Sequence, residues 1–496
     1  MKNDLKGAVS MSLLENISIK KYARFNSPLI LSIAIICILI SLNYLISQEN
    51  YAILALILLG LGFAFFILVY ASKPKELFKA FLIYTVIFYS YRYIMQWGPP
   101  GTTIYETVTP IYVRLIKDIV WIGFILLVLN FWAYKSLLKR EKTFDLSNSQ
   151  KGFLLLVGVY ILYSGLILPL VHFGIKDTFR VLLYEIRYPI EYIFIIFLLP
   201  IFYKGEDDLK EFPKIFFYLT IYTLIFLIYE MFLGGHKTGF YIGGYQVRYG
   251  SAFGSPNDFG LYIGMILLLF TSLLSEGYFL KRIFWIFFII ACFMALLSTV
   301  SLSAIGVSLI GLFLVLFISL GPVKSIVYSA PVFIPLALIV KMLDPYKYLL
   351  WKFFGIFSGE NVSAVGRVES LYSFMDNLSK TNIVKFLFGN YESVLSFETF
   401  YFSLIYNKGI LALIFLFIIV FVTFIVGMKK YALARKFKNK FLQGIFLGST
   451  IFITMFTLAN FGIPYFNNFP LNFYFWFWTG IIWFTPVTPE KLEVKV

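Results

Sequence analysis

The run ETFYFSLIYNKGILALIFLFIIVFVTFIVG, residues 398–427, decides the class of the whole molecule. After a short polar opening it carries no charge from Ile410 until Lys429. As a helix it crosses a hydrocarbon core of about 30 Å, for which roughly 20 apolar residues suffice. Comparable runs recur at 27–46, 51–70, 77–95, 114–133, 152–171, 182–202, 213–233, 257–275, 283–299, 304–320, 325–343, 441–460 and 470–486, in a chain that is 60% hydrophobic. Inside lipid every backbone N–H and C=O must be satisfied within its own segment, and the runs lack the alternation of barrel strands. The sequence therefore predicts an all-α polytopic membrane protein: one transmembrane domain, 1–496, of about fourteen spans (12–14). The runs 283–299 and 304–320 are parted only by the polar turn STVSLS. The run 27–46 is too long for a signal-peptide core and lacks a small-x-small cleavage site, so it reads as a retained span. Cys37 and Cys292 both lie in apolar runs and read as packing residues.

Charge sets the expected orientation. With the N-terminus inside, MKNDLKG, KKYAR, SKPKE, YKSLLKREK, YKGEDDLK, Lys281 with Arg282, Lys324, MKKYALARKFKNK and the tail share the cytoplasmic side, which with the neighbouring Lys79, Lys151 and Lys214 holds 27 of the 42 basic residues. The positive-inside rule then puts both termini in the cytoplasm. The net charge of +16 reads as a topology signal aided by anionic lipid, not as a nucleic-acid footprint. Residue type divides differently: Arg92, Arg114, Arg180, Arg187, Arg248 and Arg367 fall outside, whereas only Arg24, Arg140, Arg282 and Arg435 fall inside. Lysine suffices for topology, but the planar fork of arginine suits phosphate or carboxylate. Snorkelling at span ends is the plain alternative.

Three outer segments look built. QWGPPGTTIYETVTPIYV (96–113) reads as a re-entrant or capping loop. The Gly-rich loop 234–256 has glycines dense enough for backbone to approach a ligand. The large loop 344–397 belongs to the longest interval that lipid would reject, 344–406. In it DPYKYLLWKFFGIF (344–357) predicts an interfacial amphipathic helix with Tyr346, Leu349, Leu350, Phe353, Phe354 and Phe357 on one face. A second short helix is predicted to start near Arg367, with Val368, Leu371, Tyr372, Met375 and Leu378 as its apolar face. No internal duplication is visible, which disfavours transporter folds built from repeats.

Ionisable residues inside spans are rare and face a cavity or a partner. Arg180, Tyr184, Arg187 and Glu191 share one helix face, a candidate basic wall for a phosphate-bearing lipid. The alternative is that Arg187 and Glu191 neutralise each other. Arg114, Lys117 and Asp118 lie nearer a span end, where snorkelling suffices. With only His172 and His236, no cluster has metal-ligand spacing, and no nucleotide-binding fingerprint stands in a suitable context.

Three segments carry a resemblance. RYGSAFGSPNDFGLYIGMILL (248–268) holds an Arg, then Gly-x-Phe, then Ser255-Pro256-Asn257; GRVESLYSFMDNLSKTNIVKFLFGNYES (366–393) holds Gly-Arg, a short helix and the turn Leu387-Phe388-Gly389-Asn390; the run 398–427 opens with Glu398, Tyr401 and Gly409. Over about 240–425 this order resembles the bacterial O-antigen polymerase and ligase superfamily, with Ser-Pro-Asn where that family has Asn-Pro-Asn. The resemblance implies a metal-independent, inverting GT-C glycosyltransferase without a cofactor. It would act in the cytoplasmic membrane with its site facing outward. Its partners would be undecaprenyl-pyrophosphate-linked donor and acceptor oligosaccharides and membrane lipids, with a chain-length regulator and a flippase as companions, and no nucleic acid. Arg248 and Arg367 would hold the leaving pyrophosphate, and Glu398 would be the general base. Arg180, Tyr184, Arg187, Asn257, Tyr401 and Glu369 would line the substrate, with Glu369 as reserve base unless it only neutralises Arg367. Glu398 as a helix cap and Arg367 as a phospholipid anchor are the plain alternatives. The outer loop lacks the His that many ligases carry, which favours polymerase; ligase and lipid-linked oligosaccharide flippase are the competing functions.

Overall fold

The computed structural model describes residues 73–95, 111–133, 135–136, 146–168, 170, 191–203, 205–232, 241–242, 245–246, 248–327, 362–390, 397 and 399–487. The spans expected at 27–46, 51–70 and 325–343, most of the loop 96–113, and the interfacial helix 344–357 lie outside the described residues.

Two compact units are present, Met1–Trp97 with Thr109–Phe131, and Gly98–Val108 with Trp132–Val496. The first holds α1 (Pro74–Met95) and most of α2 (Ile111–Ala133). They meet through an aromatic cluster in which Phe81 lies 5.0 Å from Trp121 and 5.8 Å from Phe124.

The second unit opens with α3 (Asn148–Leu162), which runs on as a π-helical turn, Tyr163–Ile167. A 3-10 turn (Glu191–Phe194) leads into α4 (Ile195–Phe202), followed by α5 (Glu206–Leu209) and α6 (Glu211–Phe232). The Gly-rich loop contributes a two-residue antiparallel ladder, β1 (Tyr241–Ile242) with β2 (Tyr245–Gln246), in register Tyr241 to Gln246. It is the only strand pairing among the described residues, so the expected all-helical class holds apart from this one turn. A 3-10 turn (Ser251–Phe253) precedes α7 (Pro256–Ser275), α8 (Arg282–Ser298) and α9 (Leu302–Leu320). The large loop folds into α10 (Val362–Ser379) and α11 (Ile383–Phe388). Then come α12 (Phe400–Lys436), α13 (Lys440–Ala459), a 3-10 turn (Tyr465–Asn467) and α14 (Leu471–Phe484).

Six helices among the described residues are long and apolar enough to cross a membrane: Asn148–Ile167, Glu206–Met231, Pro256–Ser275, Leu302–Leu320, Phe400–Lys436 and Lys440–Ala459. They divide by surroundings. In α7 and α13, 89% of the most apolar stretch is buried in protein, against 28–39% in the other four. These two form the centre, packed on each other, with α8 and α9 against α7, and α12 and α14 against α13. Lipid-soluble helices gain little from burying apolar area and associate through close packing of small residues. Accordingly α13 turns Gly444 and Gly448, four residues apart, onto the backbone of α7 at Leu273 and Leu269. The outer helices leave Leu155, Ile225, Ile310 and Phe421 exposed, an apolar surface that suits lipid.

Three expectations are revised. The run 398–427 is not one continuous span: Gly409, at φ 79°, breaks the 37-residue α12 into a short first segment and a longer apolar one. The run 470–486 yields α14, whose 14 residues are all buried. At 1.5 Å per residue it extends only about 21 Å, so it is an aromatic core helix rather than a lipid-facing span. The helix near Arg367 is longer than expected, and of its predicted apolar face only Leu378 packs, while Val368, Leu371, Tyr372 and Met375 point outward. Phe374, outside that predicted face, joins Leu378 in docking the helix against Phe397, Phe402, Ile405 and Tyr406.

Candidate functional site

The first arginine is held by the entry to α7. Ser255 is the N-cap, its hydroxyl accepting the Asp258 N–H, and Pro256 occupies the first turn, where its missing N–H costs nothing. Arg248, 6% exposed, donates from Nε to the Thr299 carbonyl (3.1 Å) and from Nη2 to Asn257 Oδ1 (2.8 Å). Two anchors fix the plane of the guanidinium, and Asn257 is the residue that orients it. The backbone behind it is clamped by Glu230, 1% exposed, whose carboxylate accepts the Ser251 N–H at 2.7 Å. Ser251 itself sits at φ 48°, and its hydroxyl donates to the Thr223 carbonyl. Sequence reading passed over Glu230, although a carboxylate closing the apolar run IYTLIFLIYEMF carries the same rarity signal as Glu191.

The second arginine is held by a turn that sequence reading did not single out, NFGIPYFNN at 460–468. Arg367 donates from Nε to the Gly462 carbonyl at 3.2 Å. Among the described residues its Nη groups make no other hydrogen bond, which leaves four N–H donors for an anion. The same turn takes the Phe400 N–H on the Asn460 carbonyl (3.3 Å). It presses Gly462 against Ser303, whose hydroxyl lies 3.3 Å from that of Tyr465. It also ties Asn468 Nδ2 to Asp258 Oδ1 at 2.8 Å, and Asp258 is 6% exposed. Burial raises the Tyr465 phenol above its usual range, against the lowering effect of the Ser303 contact, so it stays a neutral hydroxyl. The two loops that carry Arg248 and Arg367 thus converge on one turn.

The glycines of the other two motifs also meet. Gly389 is at φ 93° and Gly409 at φ 79°. A Cβ on Gly389 would strike the Asn407 carbonyl, and one on Gly409 would strike that of Leu387. The crossing is pinned by Asn390, whose N–H donates to the Tyr406 carbonyl (2.7 Å) and whose Nδ2 donates to the Tyr406 hydroxyl (2.9 Å). From the π-helical turn that follows α3, Tyr163 reaches the carbonyls of both Leu387 and Lys408 at 3.4 Å. Two backbones pass in contact, so only glycine fits at either position.

The remaining expected residues separate. Tyr401 is buried, its ring tilted against that of Phe461 at 4.4 Å, with its hydroxyl committed to the Thr457 carbonyl. Its position on α12 makes it a packing post. Glu369 is exposed on the side of α10 about 200° round from Arg367, too far round to neutralise it. Glu398, Arg180, Tyr184 and Arg187 lie outside the described residues; Thr399, next to Glu398, is the N-cap of α12. No group of three or more His, Cys, Asp or Glu gathers among the described residues. No protein-family model matches the sequence, and no curated protein or solved structure matches it.

Proposed function

We propose that the chain polymerises surface-polysaccharide repeat units of O-antigen or capsule type. It would transfer the growing glycan from undecaprenyl pyrophosphate to the non-reducing end of a new lipid-linked repeat unit, at the outer face of the cytoplasmic membrane. Around fourteen spans with both termini in the cytoplasm belong to this reading. One observation carries it. Two arginines from loops far apart in sequence, Arg248 and Arg367, are each anchored through Nε to a backbone carbonyl, and both anchoring regions meet at the 460–468 turn.

The chemistry asks for such an arrangement. The acceptor hydroxyl attacks the anomeric carbon while the bond from that carbon to the pyrophosphate oxygen breaks, with inversion. Glu398 takes the hydroxyl proton. Charge grows on the departing pyrophosphate, and preorganised donors contribute most where charge develops in a partly dry site. Guanidinium forks match phosphate oxygens in pairs, which an ammonium does not. The transfer uses the donor's own leaving group, so neither nucleotide nor metal enters the reading.

The test is reconstitution of the purified protein with its native lipid-linked repeat unit. A ladder of products spaced by one repeat is expected. Loss of the gene should leave single repeat units displayed outside the cell. Repeat units trapped on the cytoplasmic leaflet would favour a flippase instead, and transfer of finished chains to another acceptor would favour a ligase.

A further inference from the structure

We propose that Asp258 and Asn468 form a latch that sets the spacing between Arg248 and Arg367. Both are thereby positioning residues, and the proposal rests on reading the two arginines as the donor-binding pair. Asp258 occupies the first turn of α7, one residue beyond Asn257, the side chain that orients Arg248. Asn468 closes the turn whose Gly462 carbonyl holds Arg367. The Asp258 to Asn468 bond therefore joins the Arg248 support to the Arg367 support across residues distant in sequence.

Its surroundings suit a latch rather than a surface contact. The carboxylate is buried at a helix N-terminus, where its charge is favoured, and a hydrogen bond to an ionised acceptor is among the stronger ones. The far side of the turn is fixed independently. The Asn460 side chain accepts the Phe466 N–H at 2.9 Å, and Tyr465 reaches Ser303 on α9. With the turn shaped from within, the Asp258 bond determines where it sits over α7. Arg367 donates to a carbonyl of that turn, so α10 follows it.

The test reads geometry and turnover in the full-length protein. In a background carrying Cys37→Ser and Cys292→Ala, spin labels are placed at two exposed positions, Tyr372→Cys on α10 and Ile283→Cys on α8. A single narrow distance distribution is expected with the latch intact. Asn468→Asp sets two carboxylates face to face, and Asp258→Ala removes the acceptor. Each should add a second, displaced population and raise the KM for the lipid-linked donor roughly tenfold, with a smaller change in kcat. The exchange Asp258→Asn with Asn468→Asp rebuilds the bond in reverse and should restore both readouts. If Asp258→Ala fails to fold, Asn468→Asp and the exchange suffice. An unchanged distribution in Asn468→Asp, or no restoration by the exchange, overturns the latch. Distances that respond as expected while the unmodified protein yields no polymer would leave the latch standing and remove the polymerase reading.

Discussion

The two ends of the second unit use cations differently. At the lysine-rich end, Lys430 donates to the carbonyls of Trp483 (3.0 Å) and Thr485 (2.7 Å) and so closes the C-terminus of α14. Nearby, Tyr431 donates to Glu276, whose carboxyl is raised by burial and lowered by that bond and by Arg435. Asn439 donates to Glu206 (2.7 Å), which also pairs with Lys210 (3.1 Å). These contacts finish helices and tie neighbours together. At the arginine end, the cations are anchored by one or two N–H groups on carbonyls or an amide, and the anchors belong to loops that meet only after folding. A flexible ammonium serves to cap; a rigid fork held by its stem serves to present donors in a chosen direction. The difference teaches that lysine here finishes helix ends, while each arginine is held through Nε on a backbone carbonyl.

Three substitutions break this contrast, the largest effect first. Gly409→Ala or Gly389→Ala puts a Cβ into facing backbone at positive φ, at a cost well above about 2 kcal/mol, and Arg367 on α10 should lose its seat with the α11 to α12 crossing. Thermal unfolding in detergent should fall steeply and elongation should vanish together; an unperturbed melting curve would refute the crossing. Lys430→Met strips two carbonyls of a shared donor at the opposite end, a loss of about 1–3 kcal/mol. A lower melting temperature with elongation retained is expected, since this end only finishes helices. Loss of elongation at unchanged stability would show that the two ends are not separate in purpose.

How much was legible in the sequence follows from what each signal measures. Hydrophobic runs placed α3, α6, α7, α9, α12 and α13, because lipid permits few alternatives to a helix. The boundary between α8 and α9 was legible in STVSLS, and Val300 takes φ 48° there. The break at Gly409 was not, since its cause is the chain of Leu387 and Phe388 crossing it, a long-range contact that no local pattern encodes. Likewise hydropathy cannot tell the buried α14 from a lipid-facing span, because tryptophan and phenylalanine suit both. At the candidate site, Arg248, Arg367 and Asn257 were singled out from motif and side, and two of the three are now joined by a hydrogen bond. The turn 460–468 escaped notice because its work is done by backbone carbonyls and asparagines, which carry no charge pattern. Tyr401 drew attention through its place in a motif, yet its hydroxyl is used within the protein.

The central claim is that Arg248 and Arg367 together receive pyrophosphate. Its most direct measurement is elongation of lipid-linked repeat units by purified Arg248→Lys and Arg367→Lys proteins, compared with the unmodified chain at equal, correctly folded protein. Each should retain charge and membrane insertion yet lose about 10²- to 10³-fold in rate, the usual consequence of removing an aimed donor. A full product ladder from both lysine variants would contradict it.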